Sequence, residues 1–300
     1  MLLRMAAALA ALTLAVPLPF GAPHILTHLD LAAGQQPENI AVESPSAVDV
    51  TFGFAGKVAR IDRSGAVRVL ATVPVPPNGD VPGSHTKIFT GGIVIDRGVR
   101  YFAVSTGLAA DTGIYRFRVG QPAVRMTALP SSGFYNGMAL DAVGRRLLVA
   151  DSAHGTMWQV PLSGRAPSIW SASPLLAPKA GFGANGVKIH GNSVWVSNLD
   201  AGTLVRLPFV GVPRVVVSGL GPVDDFAFTP DGRFVIAAIN QENRVVQVDP
   251  YGSGQVTTLW TAANGLSNPT AVAFSGESVL VTDAAYFTQQ DPNILTARWG

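Results

Sequence analysis

The sequence predicts an all-β fold, a closed ring of six repeated four-stranded units, and three observations carry that reading. One segment type recurs along nearly the whole chain, starting at Glu38, Gly91, Asn136, Asn185, Asp224 and Thr270. Those starts lie 39 to 53 residues apart, around the ~40–50 residues of one propeller blade. Apolar residues alternate with small or polar ones at period two, as in Ser193-Val194-Trp195-Val196-Ser197, which is the pattern of a strand. Finally, 32 glycines and 22 prolines among 300 residues supply frequent turns, suiting many short strands better than long helices. Together these describe a six-bladed β-propeller.

Within a repeat the strands follow in a fixed order. Asn136-Gly137-Met138-Ala139-Leu140 opens the first, residues 146–152 form the second, 155–162 the third and 166–172 the fourth. The same order runs through residues 38–72, 91–129, 185–219 and 224–262. The sixth repeat stops after its third strand, 293–299, while an orphan strand, 25–31, precedes the first repeat. The simplest resolution is that this N-terminal strand closes the last blade, since ring closure removes exposed sheet edges.

Residues 1–22 read as an export signal, leaving a propeller of residues 23–300. Arg4 supplies the positive start, and Met5 to Val16 are apolar except for Thr13. The stretch up to Phe20 is short and interrupted by Pro17 and Pro19, so no stable membrane insertion is expected once it is removed. A secreted or periplasmic location follows. The chain has no cysteine and hence no disulfide framework. Hydrophobic residues make up 48% and charged ones 13%, with a net charge of +2. The basic residues are scattered, so nucleic acid is not an expected partner and a small-molecule substrate is.

In a propeller the first strand of each blade lines the central tunnel, so the six repeat starts sit at one mouth. Four of them, Glu38, Asn136, Asn185 and Asp224, carry carboxylate or amide oxygens. Asp and Asn are depleted in strands, and converging carboxylates repel unless something positive lies between them. Two carboxylates and two amides form a hard, oxygen-only set suited to one divalent ion, Ca²⁺ above all. The ring contains no His or Cys, which argues against a zinc site. For a single Asn, capping of a neighbouring backbone group is the simpler reading. Four in register favour the ion. The loops of the same face add Asp80, His85, Lys87, His154, Asn198, Asp200, Asn240, Glu242 and Tyr286. Among these and the ring, Asp224, Asp225 and His85 are the candidate acid–base groups. The long Pro- and Gly-rich loop at 73–90 reads as a partial lid over the mouth.

At these residues the chain resembles the gluconolactonase and senescence-marker-protein family, within the calcium-dependent propeller hydrolases that include the paraoxonases and diisopropyl fluorophosphatase. The segments that carry the resemblance are PENIAV (37–42), YNGMALD (135–141), LLVADSAHGTMWQV (147–160), GANGVKI (183–189), DDFAF (224–228) and NPTAVAF (268–274). The resemblance implies metal ligation by Glu38, Asn136, Asn185 and Asp224, with Asp225 beside them. Two features depart from it: Asn39 follows the glutamate, and the second blade offers Gly91-Gly92 with no ligand. The expected function is metal-dependent hydrolysis of a lactone or related ester. A cyclase or isomerase using the same cavity is an alternative, and so is a non-catalytic ligand-binding propeller.

Overall fold

Turn chemistry shapes each repeat into an antiparallel meander. The turns Phe54-Ala55-Gly56-Lys57, Ala153-His154-Gly155-Thr156 and Asp200-Ala201-Gly202-Thr203 all place a left-handed glycine third, with φ of 63°, 61° and 61°. That conformation is costly for residues bearing a Cβ. In blade five the corresponding turn uses Asn243, at φ 49°.

The computed structural model describes residues 20–252 and 254–300, so residues 1–19 of the expected leader lie outside it. Six four-stranded antiparallel sheets form the fold. Strand β1 (His24–His28) precedes blade one, which is β2 (Pro37–Ser44), β3 (Ala47–Phe52), β4 (Lys57–Asp62) and β5 (Val67–Thr72). Blade two is β6 (Phe89–Asp96), β7 (Val99–Ser105), β8 (Gly113–Arg118) and β9 (Val124–Ala128). Blade three is β10 (Tyr135–Asp141), β11 (Arg146–Asp151), β12 (Thr156–Pro161) and β13 (Ser168–Ser171). Blade four is β14 (Ala184–His190), β15 (Ser193–Asn198), β16 (Thr203–Pro208) and β17 (Arg214–Val217). Blade five is β18 (Val223–Phe228), β19 (Val235–Ile239), β20 (Arg244–Val248) and β21 (Val256–Thr261). Blade six holds β22 (Pro269–Ser275), β23 (Ser278–Asp283) and β24 (Asn293–Arg298), with β1 as its outer strand. Strand β1 is shorter than the 25–31 run read from the sequence, pairing His24 with Thr296 and His28 with Asn293. Among the described residues no helix is long and apolar enough to cross a membrane.

Six apolar clusters, one per pair of neighbouring blades, close the ring. The junction of blades six and one holds Ile40, Val50, Phe52, Ala271, Leu280 and Ile294. That of blades four and five packs Trp195, Leu204, Phe226 and Val246. Phe52, Phe102 and Phe226 are wholly buried, each contributing about 1.5–3 kcal/mol relative to exposure.

One irregularity recurs where it matters. Every innermost strand breaks register with its neighbour at the repeat start: at residues 37–39, 90–93, 135–138, 184–187, 223–226 and 269–271. Such bulges re-aim side chains, and here all six fall at the tunnel mouth. Glycine permits the crowding that results. A Cβ at Gly137 would overlap the carbonyl oxygen of Asn185 on the next blade, and one at Gly91 would overlap that of Tyr135.

Candidate functional site

Buried like charges mark the mouth. Glu38 is 3% exposed and Asp224 6%, and no arginine or lysine hydrogen-bonds either one among the described residues. Burial raises the Glu38 carboxyl from 4.5 to about 7, reinforced by the charge of Asp225 and opposed by a hydrogen bond from Tyr286. Burial likewise holds Asp224 well above the usual carboxylate range, with Glu38 and Asp225 adding repulsion. Strands from blades one and five thus bring two carboxylates within electrostatic reach across the tunnel.

Neutral donors orient both groups. The Tyr286 hydroxyl donates to Glu38 Oε2 at 2.7 Å, and burial together with Glu38 pushes that phenol up in turn. Asn240 Nδ2 donates to Asp224 Oδ2 at 3.1 Å, and the Asn185 amide donates to the same carboxylate. That leaves Asn185 Oδ1 buried with no hydrogen-bond partner, a costly state for an amide oxygen unless a cation or solvent meets it. Asn136 occupies the equivalent bulge of blade three, buried, and no side-chain hydrogen bond involves it among the described residues.

This donor set fits one hard cation. Two repelling carboxylates, an unmet amide oxygen and a further amide at the same register form an oxygen-only site, with Tyr286 and Asn240 as the outer partners that aim the carboxylates. Among the described residues no group of three or more His, Cys, Asp or Glu side chains is placed to hold a metal, so an ion here would depend on the amides.

The remaining repeat starts and loop residues sort cleanly. Gly91 offers no side chain, and Thr270 turns its hydroxyl to the Pro37 carbonyl at 2.7 Å. His85 is not drawn into the ring. Its imidazole lies 3.2 Å from Asp80, both side chains largely in solvent at 81% and 74% exposure, because the left-handed turn at His85 (φ 55°) directs it outward. His154 is held by buried Asp151 at 2.9 Å. Asp200 accepts from the backbone amides of Lys179, Ala180 and Gly181, fixing that loop. Asp225 does lie at the ring, but Lys188 engages both its oxygens at 2.7 and 2.6 Å. Sequence reasoning missed Lys188; the signal was a lysine on an innermost strand, two residues past the Asn-Gly pair.

Aromatic rings border the site over five blades. Tyr286 packs on Phe54 with centroids 4.8 Å apart, Phe54 on Phe89 at 6.1 Å, Phe89 on Phe134 at 4.3 Å and Phe134 on Phe182 at 4.7 Å. The 73–90 loop covers this arc. Its Val81 is wholly buried among Phe89, Phe134, Phe54 and Phe182, and Gly83 abuts the Phe182 ring so closely that a Cβ would come within 2.9 Å. A surface groove of about 590 Å³ lies elsewhere, between blades six and one, bordered by Asp62, Arg63, Glu277 and Arg298. It contains none of the buried charges that distinguish the mouth.

No protein-family model matches this chain, and no curated protein is found to be similar to it. Solved structures do match. A luciferin-regenerating enzyme aligns over 88% of this chain and 91% of its own, with a TM-score of 0.65 and 12% identity. The PQQ-bound aldose sugar dehydrogenase of Streptomyces coelicolor covers 92% and 98%, at 0.64 and 14%. A chain of the nidogen–laminin complex covers 83% and 92%, at 0.60 and 16%. The likeness is one of fold. Two of these propellers are enzymes and one comes from a protein–protein complex, so function must be argued from the site.

Proposed function

We propose that the chain is a metal-dependent hydrolase of a lactone or related ester, with one divalent ion, Ca²⁺ by donor chemistry, held by Glu38, Asn136, Asn185 and Asp224. The observation that carries the reading is the pairing of two buried, mutually repelling carboxylates with the unpartnered Oδ1 of Asn185. A bound ion supplies Lewis-acid polarisation of the ester carbonyl. The chain supplies orientation: Tyr286 fixes Glu38, while Asn240 and Asn185 fix Asp224. Of the three acid–base candidates, His85 stands in solvent and both oxygens of Asp225 are occupied by Lys188. That leaves Asp224 to accept the proton of the attacking water. Phe54, Phe182 and Tyr286 offer partly exposed aromatic surface at the mouth, which suits a lactone with an apolar substituent better than a polyhydroxylated one.

A second reading, cyclisation or isomerisation by acid–base chemistry alone, draws on a specific observation: burial brings Glu38 to about 7, where a carboxyl both gives and takes protons near neutrality. Chelation separates the two. Metal analysis of the purified protein should find about one divalent ion per chain, and hydrolysis across a lactone and ester panel should vanish with chelator and return with Ca²⁺. Activity indifferent to chelation would favour the acid–base reading.

A further inference from the structure

Beside the ring, the charge pair of Lys188 and Asp225 joins three blades. Lys188 stands on β14 of blade four and Asp225 on β18 of blade five. From blade one, Asn39 Nδ2 donates to Asp225 Oδ2 at 3.3 Å. The Asp225 side chain is 3% exposed and that of Lys188 29%. The ammonium also lies 5.7 Å from the centroid of the Phe226 ring. In the bulges of blades two, three and four the residue after the repeat start is Gly92, Gly137 or Gly186; in blade five it is Asp225. The neighbouring blade makes room for this exception, since a Cβ at Gly186 would overlap Asp225 Oδ1. A third carboxylate is thus brought beside Glu38 and Asp224, whose proton affinities it raises, and one lysine arrives with it.

A staple between blades needs no charge at all, and burying an ion pair for that purpose is often no better than apolar packing. The pair makes sense as charge balance. With all three carboxylates ionised and Lys188 protonated, the mouth carries two negative charges, the complement of one divalent ion. We propose that Lys188 is a specificity-determining residue that sets the charge of the ring, so that the site takes divalent cations in preference to trivalent ones. The inference rests on the metal-binding reading above and deepens it.

Calorimetric titration of the full chain with Ca²⁺ and with Tb³⁺ tests it, the readout being the ratio of the two affinities. Lys188→Met adds one net negative charge, which attracts a trivalent ion more than a divalent one, so the ratio should move toward Tb³⁺ by about tenfold. Asp225→Asn removes one and should move the ratio by a similar factor toward Ca²⁺. The double variant restores the balance and should return the wild-type ratio, and Lys188→Arg should leave it unchanged. If Lys188→Met does not fold, Asp225→Asn and the double variant carry the same test. A ratio that stays constant while only melting temperatures change would make the pair a structural staple, overturning this inference and leaving the metal site standing. Wild-type protein that binds neither ion would overturn both.

Discussion

Two of the buried charge clusters in this ring are built on opposite terms. At the junction of blades one and two, Asp49 is fully buried and meets Arg60 at 2.8 and 3.1 Å and Arg100 at 2.9 Å. Glu43 joins them through Arg100 and Arg60, and the Arg100 hydrogen bond holds its carboxyl below the ordinary range. Two acids face two bases, and the account closes. At the mouth, Glu38 and Asp224 face each other with only neutral donors attached, and both are pushed up. The first arrangement is balanced by the protein's own arginines; in the second, no arginine or lysine hydrogen-bonds either carboxylate among the described residues. Burial alone therefore does not identify a site: Asp283 is fully buried, is pushed well above the usual carboxylate range by that burial and keeps an unpartnered Oδ2, whereas the mouth is set apart by two carboxylates that repel each other.

Breaking the compensated set should cost the most. Arg100→Met leaves Asp49 and Glu43 short of a partner inside the ring, and removing one member of a buried ion pair costs about 3–5 kcal/mol. Denaturant unfolding should show that loss while Ca²⁺ affinity stays within a factor of about two, because no member of the cluster is among the four proposed ligands. Asp224→Asn should do the reverse, raising the stability of the metal-free protein by about 1–2 kcal/mol as a buried repulsion disappears, while abolishing metal binding. If both variants destabilised alike, the contrast between the two regions would fail.

The pH dependence carries the same contrast with a definite sign. Glu38 binds its proton more tightly folded, near 7, than unfolded, near 4.5. Its contribution is fully present below about 4.5 and is lost as pH rises through 7. Metal-free protein should therefore lose on the order of 3 kcal/mol between those values. Saturating Ca²⁺ should flatten the slope. Glu43 titrates in the opposite sense, since its folded carboxyl is depressed: it stabilises above the unfolded value and the gain fades in acid. Thermal melts from pH 4 to 8, with and without Ca²⁺, check both.

Much of this was legible in the sequence because it is periodic. Strand alternation and the repeat starts are local patterns, and each of the six starts falls inside the bulge of its own innermost strand. What escaped was whatever depends on one blade meeting another. Lys188 and Asp225 sit 37 residues apart, and Asn39 reaches the same carboxylate from 186 residues away. The aromatic arc draws single residues from five blades, each looking like ordinary strand or turn filler. The outward position of His85 was not legible for a local reason, since no alternation pattern reports the direction of a loop side chain.

Smaller effects should follow at the edges of the site. Asn136→Ala should weaken Ca²⁺ by about tenfold and leave residual turnover, because an amide contributes no charge to the ion. Shortening residues 76–86 should raise KM for apolar lactones by several-fold through loss of the Val81 cover, with little change for a polyhydroxylated lactone. Equal effects on both substrates would reduce the loop to surface decoration.

Whether one cation completes the ring is tested most directly by calorimetric titration with Ca²⁺ of the wild type and Asp224→Ala, both stripped of metal. Saturable binding of one ion by the wild type and none by the variant is the expected result. Equal heats for the two proteins would contradict it, reducing Glu38, Asn136, Asn185 and Asp224 to structural polar groups and removing the main support for a hydrolase.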